Sequence, residues 1–194
     1  MARTPSTMLD LGTPLPTFSL RDAVSGRTVT RTDVAGKRGT LVMFVCNHCP
    51  FVKHVLAELG RIGADALSRG FGVVAINSND VDAYPDDAPD RMRELAQAER
   101  WTFPYLLDET QDVAKAFRAA CTPDFFLFDP DGGLVYRGQL DGSRPGNDVP
   151  VTGSDLRRAL DALASGRAVP GEQVPSVGCN IKWKPGHAPA WFGA

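Results

Sequence analysis

At 194 residues the chain is long enough to bury a core without structural disulfides or metals, and its length fits a single domain. Its 21 Lys plus Arg nearly balance 23 Asp plus Glu, with no basic run and no aromatic-basic interleaving. The electrostatic footprint of a nucleic-acid or membrane-surface protein is therefore missing, and neither partner is expected. No apolar run approaches the about 18 residues of a membrane span, and Pro5, Asp10, Pro14 and Pro16 stand where a signal peptide would carry an apolar core. The expected compartment is the cytoplasm, where glutathione and thioredoxin keep thiols reduced. Four cysteines in such a chain point to redox or metal chemistry rather than to a disulfide framework.

In chain order, residues 1–17 are rich in Pro, Thr and Ser and read as an irregular lead-in, mobile at its extreme end. Residues 18–20 and 28–30 flank Ser25-Gly26 and read as a short hairpin, with a turn at 33–36. Residues 41–45 are apolar without alternation, as in a strand covered on both faces. Cys46-Asn47-His48-Cys49 follows at once, then Pro50, which suits a first helical turn because its missing N–H is not needed there. Val52, Val55, Leu56, Leu59, Ile62 and Leu67 recur with helical spacing and predict an amphipathic helix over 51–69, closed by Gly70. Residues 71–76 form a second apolar strand, which completes a βαβ unit with parallel strands.

Residues 77–89 are polar, with Asp82, Asp86 and Asp87 between Asn77 and Pro89, and read as an exposed, solvated loop rather than an acidic recognition site. Short helices are expected over 91–100 and 112–120, with a brief segment at 103–108 between them. Residues 125–129 and 134–140 bracket Pro130-Asp131-Gly132-Gly133, an antiparallel hairpin signal. A closing helix over 154–165 has Ser154 as its cap and Leu156, Leu160 and Leu163 on one face. The expected architecture is α/β: one domain over 1–194, with a core of about 12–166 containing a mixed central sheet with helices on both faces. A Pro- and Gly-rich tail, 167–194, carries Cys179, Trp183 and Trp191.

The chemistry centres on Cys46 and Cys49. A thiol at a helix N-terminus faces unpaired N–H groups and the positive end of the helix dipole, and both favour thiolate. Cys46 is thus the expected nucleophile and Cys49 its resolver. His48 either donates to, or sets positive charge near, the Cys46 thiolate, or it is an exposed linker residue. Lowering a thiol pKa stabilises the reduced form and makes the disulfide more oxidising, so such a site rests as a dithiol in a reducing compartment. A zinc site needs two further ligands at suitable spacing, and Cys121 and Cys179 are isolated, so no metal and no cofactor is assigned. Cys121 and Cys179 are accessory thiols at most: Cys121 approaches the dithiol or is a small buried hydrophobe, and Cys179 pairs with Cys121, resolves a sulfenic acid, or packs under the tail. The Thr122-Pro123 bond is open to either cis or trans.

On Phe44-Val45-Cys46-Asn47-His48-Cys49-Pro50, the segment 103–110, Cys121-Thr122-Pro123-Asp124, Ser143-Arg144-Pro145-Gly146 and the stretch 178–184, the chain resembles the thioredoxin-like superfamily. Within it, the chain resembles the peroxiredoxin-like, AhpC/TSA-related redoxins of bacteria. The resemblance implies a thioredoxin-like fold with an N-terminal β-hairpin extension, a nucleophilic Cys46, a resolving Cys49, and a cis-Pro123 whose preceding residue Thr122 pairs with a bound substrate strand. Val45 and Asn47-His48 stand where a thioredoxin carries Trp and Gly-Pro. Three residues before Cys49, where a peroxiredoxin carries Thr or Ser ahead of its peroxidatic cysteine, stands Cys46. The expected activity is thiol-disulfide oxidoreduction of a protein or small-molecule disulfide, recharged by a cellular dithiol reductant. The alternatives are a thiol peroxidase acting on peroxide, and a metal-binding protein or metallochaperone using Cys46 and Cys49.

Overall fold

The computed structural model describes residues 3–193; the mobile extreme N-terminus expected from sequence falls on residues 1–2, outside the described residues. The strands are β1 (Arg3–Pro5), β2 (Ser19–Asp22), β3 (Thr28–Thr30), β4 (Thr40–Phe44), β5 (Gly72–Asn77), β6 (Tyr105–Leu107), β7 (Cys121–Thr122), β8 (Asp124–Phe128), β9 (Leu134–Gly138) and β10 (Val177–Asn180). The helices are α1 (Pro50–Ser68), α2 (Pro89–Ala98), α3 (Asp112–Ala116) and α4 (Ser154–Ala164), with one 3-10 turn at Pro85–Asp87.

The main sheet runs β3-β2-β6-β5-β4-β8-β9. Its centre is parallel, with Leu41 opposite Val73 and Phe44 opposite Ile76, because α1 carries the chain back across one face. Both flanks are antiparallel: the β2–β3 hairpin joins at β6, and the β8–β9 hairpin joins at β4. The apolar run of β4 lacks alternation because each of its faces is covered. Leu41 and Met43 face the helical layer with Leu59, Ile62, Leu156 and Leu160. Val42 and Phe44 face the opposite core, where the Phe44 ring meets Phe117 and Phe126 edge-on at centroid distances of 5.2 and 5.8 Å.

Five sequence expectations are corrected. The lead-in is not irregular throughout, because Arg3–Pro5 pairs antiparallel with Val177, Gly178 and Cys179. The tail is not an appendage to a core ending near 166: β10 lies between β1 and β7 in a second, three-stranded sheet. The 77–89 segment is solvated only in part: residues 82–86 are exposed as expected, but Asn77, Ser78, Asn79 and Asp87 are buried. Ser154 does not cap α4. Gly153 holds that position at φ 67, and the Asp141 carboxylate accepts from the N–H groups of Thr152 and Gly153 at 2.7 and 2.6 Å. The helix expected over 112–120 ends at Ala116, so α3 is a short turn.

Gly72 opens β5 where the 33–36 turn presses on the sheet, and a Cβ there would lie 1.6 Å from the Val34 carbonyl oxygen. Backbone cannot yield as a flexible side chain does, so Gly72→Ala is expected to destabilise the fold by about 3 kcal/mol. The check is urea denaturation, with a lower midpoint at unchanged m-value.

Candidate active site

The dithiol lies just past the C-terminal end of β4, beside the end of the parallel neighbour β5. Ligand and reaction sites of parallel sheets gather at this edge. Val45 makes the last sheet-like bond, donating its N–H to Ile76 at 3.0 Å, and the chain then turns away from the sheet. One buried carboxylate holds that turn: Asp87 Oδ1 accepts from the backbone N–H groups of Asn47 and His48 at 2.7 and 3.2 Å. Its Oδ2 lies 2.6 Å from His48 Nδ1 and accepts from Asn79 Nδ2 at 2.7 Å. Burial works against ionising Asp87, but His48, Asn79 and the Asn47 amide outweigh it and lower its pKa. An ionised carboxylate only accepts, so His48 Nδ1 carries the proton of that bond.

Sequence placed His48 beside the Cys46 thiolate or in solvent. A ring nitrogen does lie within 4.8 Å of the Cys46 sulfur, and the ring also pairs with Asp87 and stacks on Tyr84, with centroids 5.2 Å apart and planes inclined at 13°, while Nε2 is buried without a hydrogen-bond partner. Four residues that sequence reading missed build this pocket: Asp87, Asn79, Tyr84 and Tyr105, whose hydroxyl donates to Asn47 Oδ1 at 3.1 Å. The signal for them was the polar run Asn77-Ser78-Asn79 directly after an apolar strand, at the sheet edge where sites form.

The helix begins at Pro50, so the residue facing its free amides is Cys49 and not Cys46. Cys49 is lowered to about 5, chiefly by the hydrogen-bonded Cys46 thiol; burial opposes the shift, and Cys179 and the Val52 N–H assist it. Cys46 is pushed well above the usual thiol range, first by burial, then by Cys49 and the Asp87 charge; the Thr122 hydroxyl, 3.3 Å from its sulfur, works the other way. The two sulfurs act as one titrating unit that releases its first proton readily and holds its second.

The Thr122-Pro123 bond is cis. Thr122 touches both sulfurs, by its hydroxyl to Cys46 and by its carbonyl, which accepts from Cys49 Sγ at 3.3 Å. Its backbone, expected to await a substrate strand, is already paired with Cys179 of β10. Ile181 N–H donates to Ala120 at 3.0 Å, and antiparallel alternation makes Thr122 and Cys179 the next hydrogen-bonded pair. The cleft between Phe51, Pro123, Arg144 and Val177 holds only about 20 Å³, little more than one water. Cys121 is fully buried, its thiol pushed well up by burial, and packs as a small apolar side chain. No disulfide joins the four cysteines. For a metal, the ligand atoms of Cys46, His48 and Asp87 lie within 4.8 Å of one another, a set with Asp87 in place of the Cys49 expected from sequence.

The AhpC/TSA family matches residues 11–137, a span that includes Cys46, Cys49 and Pro123. The chain belongs to the AhpC/TSA family. Its mixed sheet, the helix that follows the cysteines and cis-Pro123 make up the thioredoxin-like fold, which solved thiol-disulfide oxidoreductase-like structures share. An uncharacterized conserved protein from Geobacillus kaustophilus is 54% identical, with a TM-score of 0.94 over 95% of this chain and 98% of that one. The thiol-disulfide oxidoreductase YkuV of Bacillus subtilis is 25% identical over 129 residues, 66% of this chain and 84% of YkuV. The methylamine utilization protein MauD of Methylorubrum extorquens is 30% identical over 129 residues, 66% of this chain but only 57% of MauD's length. Among the described residues, no helix of this AhpC/TSA protein is long and apolar enough to cross a membrane.

Two titrations follow from these environments. Ultraviolet thiolate absorbance is expected to rise in one step near pH 5, and Cys49→Ser is expected to abolish that step. Asp124, which follows Pro123, is raised by burial from its ordinary 3.8 to about 8, with Oδ2 unpartnered. Between those values the folded chain keeps a proton that the unfolded chain has released, so this group lowers stability as pH rises. Asp124→Asn should flatten that decline in urea midpoints measured from pH 5 to pH 8.

Proposed function

We propose that this AhpC/TSA protein is a thiol-disulfide oxidoreductase whose working unit is the Cys46/Cys49 dithiol. The observation that carries the reading is the pair of buried, mutually hydrogen-bonded thiols sharing one acidic proton at the start of α1, next to cis-Pro123. Cys49 is hemmed in by Cys46, Cys179, the Val52 amide and the Thr122 carbonyl, which leaves Cys46 as the sulfur for an incoming disulfide. The Cys46 proton passes to Cys49 along their hydrogen bond, and the Cys46 thiolate attacks one substrate sulfur, breaking the substrate S–S bond and releasing the first thiolate. Cys49 attacks Cys46 Sγ, expelling the second substrate thiolate, which takes up the Cys49 proton, and leaves a Cys46–Cys49 disulfide. Two electrons have moved to the substrate, and a cellular dithiol returns them by the reverse exchange.

The ease with which the pair becomes a thiolate favours its reduced form and moves the couple toward the oxidising end of the family range, which runs from about −270 mV for thioredoxin to about −120 mV for DsbA. A reducing compartment such as the cytoplasm suits that resting dithiol. Occupation of the Thr122 backbone by β10 favours a small-molecule or compact disulfide over an extended polypeptide.

In a reductant-coupled assay with a small aromatic disulfide, Cys46→Ser and Cys49→Ser should each bring turnover down to that of a simple thiol. Cys49→Ser should also accumulate a mixed disulfide on Cys46. Full turnover by Cys46→Ser overturns the mechanism, and a mixed disulfide trapped on Cys49 reverses the two roles.

One observation favours a second reading. The acidic thiol, Cys49, sits at the helix start with Cys46 three residues earlier, the spacing at which a peroxiredoxin places its Thr or Ser. On this reading peroxide oxidises Cys49 to a sulfenic acid with loss of water or alcohol, and Cys46 condenses with it. Peroxide consumption no faster than that of a free thiol removes this alternative.

A further inference from the structure

We propose that Cys179 is a third redox thiol, which attacks Cys49 once Cys46 and Cys49 have joined, moves the disulfide to Cys49–Cys179 and returns Cys46 as a thiol. The inference rests on the dithiol reading above and extends it to a residue beyond the 11–137 span matched by the family.

The geometry comes from strand pairing. Directly opposed residues of an antiparallel pair project their side chains from the same face, with Cβ atoms about 4.5–5.5 Å apart. Cys179 is opposed to Thr122, whose hydroxyl lies 3.3 Å from the Cys46 sulfur, so the Cys179 side chain projects onto the dithiol. It is 1% exposed, belongs to the same buried cluster as both sulfurs, and hydrogen-bonds to Cys49. The close approach depends on Gly178, where a Cβ would fall 2.0 Å from the Thr122 oxygen and 3.2 Å from the Pro123 nitrogen. β10 thus occupies the Thr122 backbone and brings a third sulfur against Cys49.

The exchange balances without an added oxidant. Cys179 loses its proton, an S–S bond forms from Cys179 to Cys49, the Cys46–Cys49 bond breaks, and the departing Cys46 thiolate takes up the proton. Burial, and then the adjacent Cys49, hold the Cys179 thiol up to about 12, while Lys182 acts in the opposite direction. Oxidation of Cys49 removes its negative charge and hence that upward push, so Cys179 becomes a better nucleophile only after the dithiol has reacted. The freed Cys46 then faces a second substrate or the reductant.

Trypsin separates the partners: Cys46 and Cys49 share the peptide spanning residues 39–53, and Cys179 lies in the peptide spanning 168–182. After diamide oxidation, acid quench and non-reducing digestion, wild type should show the two peptides linked, with Cys46 labelled when iodoacetamide is added before the quench. Cys46→Ser should link them stoichiometrically, and Cys179→Ser should abolish the linkage and protect Cys46 from label. Circular dichroism before oxidation establishes that each variant is folded. Unlinked peptides in folded Cys46→Ser overturn the role of Cys179. If wild type then still forms the Cys46–Cys49 disulfide and reduces substrate, the dithiol mechanism stands, and if it does neither, that mechanism fails by itself.

Discussion

Thr122 is the point at which the working parts of this molecule meet. Its hydroxyl touches Cys46, its carbonyl accepts from Cys49, and its backbone pairs with Cys179. The cis bond to Pro123 turns the chain from that short edge strand into β8, which pairs with β4 and so ties the contact to the strand that delivers the dithiol. The dithiol, more than seventy residues before Thr122, and β10, more than fifty after it, are thereby held around one residue, at roughly the spacing of adjacent strands.

The second constraint is electrostatic. Asp87 holds the loop between the cysteines by two backbone amides and the His48 ring, and it stays ionised although buried because these donors surround it. The same charge discourages a second charge on Cys46. Cys49 is lowered to about 5, first by its hydrogen bond with Cys46 and further by Cys179 and the Val52 amide. The dithiol is thus held as a monoanion, with one sulfur poised to give a proton and the other to receive it.

The central elements were legible because their signals are local. The unalternating run of β4, the helical spacing of Val52, Val55, Leu59 and Ile62, and the Pro130–Gly133 turn each carry their own pattern, and each element appears within a residue or two of its expected place. The segment 77–89 misled in part because its composition is that of a solvated loop, whereas the polar groups at its two ends are buried and partner one another, as in Asn77 donating to the Asp87 carbonyl at 3.0 Å. Burial of polar side chains depends on partners distant in sequence, and composition does not encode those partners. The tail misled for a related reason: a four-residue strand has too little periodicity to be seen, and its pairing with β1 and β7 is visible only in three dimensions.

The sequence by itself determined the fold class, the dithiol at a strand-to-helix junction and the resemblance to redoxins, because hydrophobic period, turn chemistry and motif spacing are properties of neighbouring residues. Tertiary structure decided which cysteine meets the helix amides, what His48 binds, and that Cys179 lies against Cys49. Those outcomes turn on where a helix starts to within a residue, on a buried carboxylate forty residues from the motif, and on strand register. A shift of one residue in the register of β10 would send the Cys179 side chain to the opposite face.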